Sequence, residues 1–184
     1  MTNKHYYSWQ DIENACVNIA LQMYKDEWRP DYIVGITRGG NVPATILSNM
    51  LGIPCETLKV NLRDSSSECE TNCWMAEDAF GYISSKDQEI YKSRWDIDAR
   101  KNILLVDDIN DTGATFTWVM KDWQSSCMPS EVYAWMSVWG KNVKFATITE
   151  NLSSGFDNVS YYHHEVNKAE EDVWLVYPWE NVGQ

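Results

Sequence analysis

The segment 103–124 constrains the fold of this 184-residue chain more than any other part of the sequence. It begins with the apolar run Ile-Leu-Leu-Val, passes through Asp107, Asp108 and Asp111, and enters a stretch with helical spacing directly after Thr-Gly-Ala-Thr. A buried strand, a short polar turn and a helix in that order are typical of parallel α/β sheets, whose ligands lie at the carboxyl ends of the strands. The segment therefore predicts an α/β fold with a ligand site at this turn.

The same turn combines two kinds of binding group. Carboxylates at the end of a strand suit sugar hydroxyls and a bridging Mg²⁺. The backbone N–H groups, hydroxyls and helix N-terminus that follow suit a monophosphate. A ribose 5-phosphate that carries a further anionic group would use both kinds, so we expect a sugar phosphate of this type as ligand.

A second segment, 32–51, repeats the order of strand, glycine turn and helix. Gly39 and Gly40 are expected to allow positive φ and close approach of a ligand to the backbone. Asn41 is predicted to cap the following helix, and Gly52 is predicted to end it. Both ligand turns therefore fall at the carboxyl ends of strands in one parallel sheet.

The nine residues from Asp107 to Thr115 resemble the signature of the type I phosphoribosyltransferases. The loop from Thr37 to Gly40 is similar to the diphosphate loop of the bacterial xanthine-guanine members of that family. The resemblance implies the type I phosphoribosyltransferase fold, in which a mostly parallel, twisted sheet is flanked by helices and carries a small hood and a long lid. It also implies transfer of a 5-phosphoribosyl group from phosphoribosyl pyrophosphate (PRPP) to a nucleobase, with release of diphosphate.

By this resemblance, Asp107 and Asp108 contact the ribose hydroxyls of PRPP directly or through Mg²⁺, which would be the cofactor. Arg38 would offer a forked cationic donor to the diphosphate. The PRPP-binding residues implied are Thr37, Arg38, Gly39, Gly40, Asp107, Asp108, Asp111, Thr112, Gly113, Ala114 and Thr115.

Two further features indicate a 6-oxopurine as the acceptor base. Asp111 stands where the hypoxanthine and guanine enzymes of the family carry an acid near N7 of the base, so we predict it as the general base. The tail from Val173 to Glu180 resembles the tail of the xanthine-guanine enzymes. By that match Trp174 stacks on the base, and the backbone carbonyls of Trp174 and Leu175 accept its exocyclic amine. A core position that closes the sheet is the alternative for Trp174.

The family also places a lysine after the next strand, in contact with the 6-oxo group of the base. The next predicted strand runs over 130–138. Lys141 is the nearest candidate for the base-binding lysine, and Lys144 is its rival.

Hydrophobic spacing predicts the remaining elements. A capping box at Ser8 and Asp11 begins a first helix that ends near Asp26. Since no linker or repeat divides the chain, 1–184 is predicted to be a single domain, with the hood and the base-recognition tail in 140–184. The other expected elements are helices at 42–51 and 115–124 and strands at 31–37, 55–61 and 103–107.

The regular pattern fails in the segment 62–98, which is longer than an ordinary connection. We expect a flexible lid that closes over PRPP and excludes water. A small helical insertion and a subunit contact are the alternatives.

The formal net charge of −12 limits the possible partners. A field of that sign opposes binding of nucleic acid, whereas Mg²⁺ would offset the charge of PRPP inside the site. The sequence has no signal-peptide core and no apolar run of membrane length, which predicts a cytoplasmic protein with no membrane partner. The five cysteines, odd in number and irregularly spaced, predict reduced thiols. The resemblance implies a homodimer or higher homo-oligomer.

Three other functions stay open at this point. A PRPP-binding regulator could use the same scaffold without turnover. A transferase for a pyrimidine or another acceptor would need a different hood. A protein that only mediates interactions would use the 62–98 insertion instead of the ligand turns.

Overall fold

The computed structural model describes residues 3–62, 69–83 and 94–180. Its strands form two sheets. In chain order these strands are β1 (Asn3–Tyr6), β2 (Tyr32–Thr37), β3 (Cys55–Lys59), β4 (Ile103–Asn110), β5 (Val143–Asn151), β6 (Val159–Val166) and β7 (Val173–Val176). The central sheet has the spatial order β3, β2, β4, β5, β6 and all its neighbouring pairs are parallel, while β1 and β7 form a separate parallel pair. The predicted parallel α/β architecture is therefore confirmed.

Helices cover both faces of the central sheet. They are α1 (Trp9–Lys25), α2 (Asn41–Leu51), α3 (Cys73–Phe80) and α4 (Ala114–Ser126). The first two pack on the face that carries Leu104 and Val106, and the last two pack on the face that carries Leu105. Burial on both faces explains the continuous apolar run of β4. Among the helices of the described residues, none combines the length and apolarity needed to cross a bilayer.

The ends of α1 confirm their prediction. The Ser8 hydroxyl accepts a hydrogen bond from the Asp11 N–H at 3.2 Å, and the Asp11 carboxylate accepts one from the Ser8 N–H at 2.8 Å. These two bonds form the predicted capping box, and Asp26 ends the helix as C-cap.

The start of α2 differs from the prediction. The helix already includes Asn41, and Gly40 is its N-cap without any side-chain bond. The Asn41 Oδ1 atom is buried near Gly35, where a Cβ on that glycine would lie only 2.6 Å from it. Asn41 therefore packs against β2 instead of capping the helix. Gly52 takes a left-handed φ of 63° and ends α2, as predicted.

The predicted strand at 130–138 is wrong. Residues Val132–Ser137 form a 3₁₀ helix, in which Trp135 is buried and donates its indole N–H to the Pro129 carbonyl at 2.9 Å. Trp135 and Val138 are buried three residues apart, which is the period of a 3₁₀ helix. The alternation of residues in 130–138, which predicted a strand, therefore does not indicate one here.

Two of the five cysteines form a disulfide, so the prediction of reduced thiols is wrong for this pair. Cys73 opens α3 and Cys127 directly follows α4, and their Cα atoms lie 5.4 Å apart. The fold creates this proximity between residues 54 positions apart, which spacing in the sequence does not reveal. Cys16, Cys55 and Cys69 have free thiols.

Part of the segment 62–98 belongs to the core. Met75, Ala79 and Phe80 of α3 are buried on the face of the sheet that also carries α4. In the described part of this segment, the structure thus contains the helical insertion that was the alternative to a lid. The polar stretch 64–68, on which the predicted lid depends most, lies outside the described residues.

The predicted hood segment, 140–184, divides between the two sheets. Strands β5 and β6 belong to the central sheet, and β7 alone pairs with the unpredicted N-terminal strand β1. We call the β1/β7 pair, together with the residues from Tyr177 to Glu180, the hood. It is built from both ends of the described chain.

Candidate active site

The two predicted ligand turns meet at the carboxyl edge of the central sheet. Strands β2 and β4 are parallel neighbours, so Thr37 lies near the end of β4, which carries Asp107 and Asp108. Asp107 Oδ1 accepts a hydrogen bond from the Asp108 N–H at 2.9 Å, and Asp108 Oδ1 accepts one from the Ile109 N–H at 2.8 Å. Main-chain donors therefore hold both carboxylates at the edge of the sheet.

The loop from Thr37 to Gly40 packs directly against these acids. Neither of its glycines has a positive φ, so that part of the prediction is wrong. The glycines are needed for space: a Cβ on Gly39 would overlap the Asp108 carboxylate, and a Cβ on Gly40 would overlap the Val106 carbonyl oxygen. The sequence predicted that these glycines allow close approach of a ligand to the backbone. In the structure, the chain that they approach closely is β4.

The turn from Asp111 to Thr115 leads into α4, one residue earlier than expected. Gly113 is the N-cap and has a φ of 85°, a conformation that favours glycine, so helical geometry begins at Ala114. The first N–H groups of a helix have no partner within the helix. The turn therefore offers the backbone donors that a phosphate group requires.

The last residue of β5 and the loop that follows it brace this turn. Asn151 Nδ2 donates to the Asp111 carbonyl at 2.8 Å, and the Gly155 N–H donates to the Thr112 carbonyl at 3.1 Å. A Cβ on Gly113 would lie 2.6 Å from the backbone nitrogen of Phe156, so the two turns are in van der Waals contact.

A lysine that the sequence reasoning did not select lies at this turn. Lys168, from the turn after β6, places its Nζ 2.9 Å from Asp111 Oδ1. Its backbone N–H donates to Asn151 Oδ1 at 3.0 Å, and the amide of the same asparagine bonds to the Asp111 carbonyl. The side chains of Lys168 and Asp111 are 23% and 37% exposed, so a ligand can still reach the pair.

The two lysines predicted to bind the base lie at the opposite edge of the sheet. Lys141 precedes β5, and Lys144 is the second residue of that strand. At about 3.3 Å per residue, the distance from Lys144 to the carboxyl end of β5 is roughly 23 Å. Lys144 Nζ lies 2.8 Å from the Tyr161 hydroxyl and 3.5 Å from the Asp26 carboxylate. The structure therefore does not bring Lys141 or Lys144 together with the two ligand turns.

The hood presents Trp174 and Leu175 differently. The Trp174 side chain is 57% exposed, which excludes a core position, whereas Leu175 is buried. The Asp172 carbonyl accepts a hydrogen bond from Asn3 of β1, and the Val176 carbonyl accepts one from Tyr7, directly after β1. Carbonyls alternate in direction along a strand. The Trp174 carbonyl, midway between those two, also faces β1, so of the two carbonyls predicted to contact the base, that of Leu175 faces the other edge of β7.

Tyr177 connects the hood to the acids. Its hydroxyl donates to the Asp108 carbonyl oxygen at 3.1 Å and lies 3.0 Å from Thr149 Oγ1. The ring is buried and stacks on Tyr7 at 5.0 Å and on Trp179 at 4.9 Å. The tail from Val173 to Glu180 is thus anchored at the end of β4 through this hydroxyl.

Comparison with known proteins decides the family. Residues 2–169 match the family model described as the phosphoribosyl transferase domain. This chain belongs to that family. It is therefore an enzyme of the phosphoribosyltransferase class, as its resemblance implied.

Individual relatives of this phosphoribosyltransferase are distant. The hypoxanthine-guanine phosphoribosyltransferase of Schizosaccharomyces pombe is 24% identical over 199 residues, which cover 95% of this chain and 88% of that protein. Xanthine phosphoribosyltransferase 1 of Saccharomyces cerevisiae is 22% identical over 200 residues, with the same shares covered. The crystal structure of a purine phosphoribosyltransferase from Pyrococcus horikoshii has a TM-score of 0.63 at 22% identity, over 99% of this chain and 97% of that one, and shares the fold.

The donor atoms at the end of β4 fit Mg²⁺. Asp107 and Asp108 supply carboxylate oxygens, and Mg²⁺ is commonly bound by one or two carboxylates together with substrate phosphates and water. In 3–62, 69–83 and 94–180, no group of three or more His, Cys, Asp or Glu side chains could hold a metal ion.

A buried carboxyl group lies behind the phosphate turn. Glu150 is the last residue but one of β5 and lies opposite Asn110, which donates its Nδ2–H groups to Glu150 Oε1 at 2.8 Å and to the Phe156 carbonyl at 2.9 Å. Burial, reinforced by the negative charge of Glu165, raises the pKa of Glu150 to about 7. Since Asn110 immediately precedes Asp111, a group that titrates near neutral pH supports the phosphate turn.

Sequence reasoning missed four residues of this site, and only one had a usable signal. The run Val143 to Thr149 is apolar and rich in β-branched residues, so it could have been recognised as the strand after α4, with Asn151 at its end. The others depend on contacts between distant segments; these are Glu150, Lys168 and Tyr177.

Proposed function

We propose that this phosphoribosyltransferase transfers the 5-phosphoribosyl group of PRPP to a 6-oxopurine in an Mg²⁺-dependent reaction. The pair of Asp111 and Lys168, 2.9 Å apart beside the phosphate turn, is the observation that carries the proposal. A carboxylate can accept from a ring N–H and an ammonium can donate to a carbonyl oxygen. The five- and six-membered rings of a 6-oxopurine present these two groups side by side, at N7 and O6.

The donor half of the site binds PRPP. The phosphate turn from Asp111 to Thr115 holds the 5-phosphate through backbone N–H groups and hydroxyls. Asp107 and Asp108 hold the ribose hydroxyls, and Arg38 contacts the diphosphate. Asp107 and Asp108 would hold Mg²⁺, which would supply positive charge to the leaving diphosphate.

The base half of the site orients the purine. Trp174, exposed before ligand binding, stacks on the ring, and the Leu175 carbonyl accepts the exocyclic amine when the base has one. Lys168 donates to the 6-oxo group, the role that the sequence had given to Lys141. Asp111 takes or shares the N7 proton as the bond from N9 to the ribose forms.

The chain's own residues then favour displacement at the anomeric carbon. The phosphate turn fixes one end of the sugar, and the acids of β4 fix its hydroxyls, so the sugar is held in line between the base and the diphosphate. Positive charge develops on the ribose as the diphosphate departs, and the carboxylates of Asp107 and Asp108 stabilise it electrostatically.

The same pair selects against adenine. An amino group at the 6 position would place N–H donors against the Lys168 ammonium, which has no acceptor. A buried polar group left unpaired costs about 1–3 kcal/mol, so we expect oxopurines to be preferred over adenine by about 10- to 100-fold. The names of the two curated relatives, which specify hypoxanthine, guanine and xanthine, agree with this choice.

The test is release of diphosphate from PRPP and Mg²⁺ with guanine, xanthine, hypoxanthine, adenine, uracil or orotate. We expect turnover with an oxopurine, a large loss in Asp111→Asn, and a higher KM for the base in Lys168→Met. Lys141→Met is the matched control, since it removes an exposed lysine at the far edge of the sheet. Turnover with uracil or orotate alone would contradict the base assignment. PRPP binding without any turnover would instead support a PRPP-binding regulator.

A cytoplasmic location and a homodimeric assembly complete the proposal. Both rest on what the resemblance and the sequence imply. Gel filtration with light scattering would test the dimer.

A further inference from the structure

Three hydroxyl groups form a chain that ends on the backbone of Asp108. The Tyr7 hydroxyl lies 3.0 Å from Thr149 Oγ1, which lies 3.0 Å from the Tyr177 hydroxyl. The Tyr177 hydroxyl lies 3.1 Å from the Asp108 carbonyl oxygen. Each of the three side chains is buried. The chain therefore joins both ends of the sequence to β5 and β4.

The direction of donation follows from the acceptor at the end. A carbonyl oxygen only accepts, and a hydroxyl has one proton to donate, so Tyr177 must donate to Asp108. Thr149 then donates to Tyr177, and Tyr7 donates to Thr149. Burial raises the pKa of both tyrosines, which keeps their hydroxyls protonated at neutral pH.

Tyr177 stands between the two halves of the site. It directly follows β7, the strand with the proposed base contacts of Trp174 and Leu175, and its hydroxyl bonds to an acid of the donor half. Its ring is stacked nearly parallel to the rings of Tyr7 and Trp179, at 9° and 5°. The stacking holds the ring, and the hydroxyl fixes its position relative to β4.

We propose that Tyr177 is a positioning residue that couples the base-binding strand to the ribose-binding acids. The inference rests on the proposed function, because it needs a donor at β4 and a base at β7. When PRPP binds and restricts the motion of the end of β4, the hydrogen bond from Tyr177 to Asp108 restricts the motion of β7 as well. The base then binds to a strand already placed over the anomeric carbon.

Two conservative variants distinguish this positioning role from a general contribution to folding stability. Tyr177→Phe keeps the stacked ring and removes the bond to Asp108. Tyr7→Phe also removes one buried hydroxyl bonded to Thr149, but it leaves the bond between Tyr177 and Asp108 in place. Both should lower the melting temperature, and Tyr177→Phe should lower it more, because it loses the bonds to Asp108 and to Thr149 while Tyr7→Phe loses only the bond to Thr149.

Their kinetics should differ. In Tyr177→Phe the KM for the purine base should rise about fivefold, the factor expected for one ordinary hydrogen bond, while the Kd of PRPP stays within about twofold. In Tyr7→Phe the KM for the base should match the wild type. An unchanged KM in Tyr177→Phe, or equal increases in both variants, would overturn the inference.

Hydrogen–deuterium exchange gives a readout that does not require turnover. PRPP with Mg²⁺ should slow amide exchange in the wild type both at 107–115 and at 173–177. In Tyr177→Phe it should protect only 107–115, and in Tyr7→Phe it should protect both. If PRPP with Mg²⁺ protected 173–177 in Tyr177→Phe as it does in the wild type, the coupling would be refuted and the proposed function would not. No protection and no turnover in the wild type would refute the proposed function and the inference with it.

Discussion

Replacing Gly39 with alanine should impair donor binding more than folding. A Cβ at this position would overlap the Asp108 carboxylate, and the backbone there needs no positive φ. The carboxylate must therefore rotate away, and it gives up the hydrogen bond that Asp108 Oδ1 accepts from the Ile109 N–H at 2.8 Å. A carboxylate turned away from the site also loses its contact with the ligand, and a hydrogen bond to a charged group contributes about 1.5–3 kcal/mol, so we expect the affinity for PRPP with Mg²⁺ to fall roughly 10- to 100-fold.

Isothermal titration calorimetry with PRPP and Mg²⁺ measures this loss, and thermal unfolding measures the effect on stability. Gly52→Ala is the control, because a Cβ there meets no atom within 4 Å and the residue is at the end of α2, away from the acids. That control should lose some stability, from its left-handed φ, and keep its affinity for PRPP. If Gly39→Ala bound PRPP as tightly as the wild type, Asp108 would not be the donor contact that we infer.

Three further predictions concern stability. The folded state raises the pKa of Glu150 from 4.5 to about 7, so its ionisation costs stability increasingly from about pH 4.5 to about pH 7. From pH 5 to pH 8, the melting temperature of Glu150→Gln should therefore rise by roughly 5–10 °C relative to the wild type, and a constant difference would contradict this. Both Gly113 and Gly140 have a left-handed backbone, but a Cβ would be crowded at Gly113 and would meet no atom within 4 Å at Gly140. Gly113→Ala should therefore melt well below Gly140→Ala, and equal melting temperatures would refute the crowding. Reduction of the disulfide between Cys73 and Cys127 should lower the free energy of unfolding by about 2–4 kcal/mol, and identical melting with and without reductant would contradict it.

The donor half of the site was predictable because its signals are local. Apolar runs, acids at a strand end and glycines in the next turn are read from consecutive residues, and the structure places 37–40 and 107–115 at one edge of the sheet. Even there, the reason for Gly39 and Gly40 could not be predicted. Their requirement comes from contact with β4, far along the chain.

The base half was less predictable because one wrongly predicted strand shifted the expected position of the base-binding lysine. Placing the strand at 130–138 directed the search for a lysine to Lys141 and Lys144, at the amino edge of the sheet. With β5 in its true position, the expected position of the lysine falls near Asn151, and the ammonium that we propose for the base contact belongs to Lys168 beyond β6. That a lysine after β6 lies where one after β5 was expected depends on tertiary contact, which the sequence alone does not show.

The hood shows the same limit. The sequence identified the tail with Trp174 and Leu175, and the structure excludes a core position for that tryptophan. It did not show that β7 pairs with residues at the other end of the chain, nor that Tyr177 bonds to Asp108. Pairing of the two ends is a long-range contact without a local pattern.

A competition assay tests the central claim most directly. The enzyme is given PRPP, Mg²⁺ and equal concentrations of hypoxanthine, guanine, xanthine and adenine, and mass spectrometry measures the nucleoside monophosphates formed. The pair of Asp111 and Lys168 predicts an oxopurine nucleotide in at least about tenfold excess over the adenine nucleotide, with the excess reduced in Lys168→Met and kept in Lys141→Met. A predominance of the adenine nucleotide, or a product ratio that Lys168→Met leaves unchanged, would contradict the account.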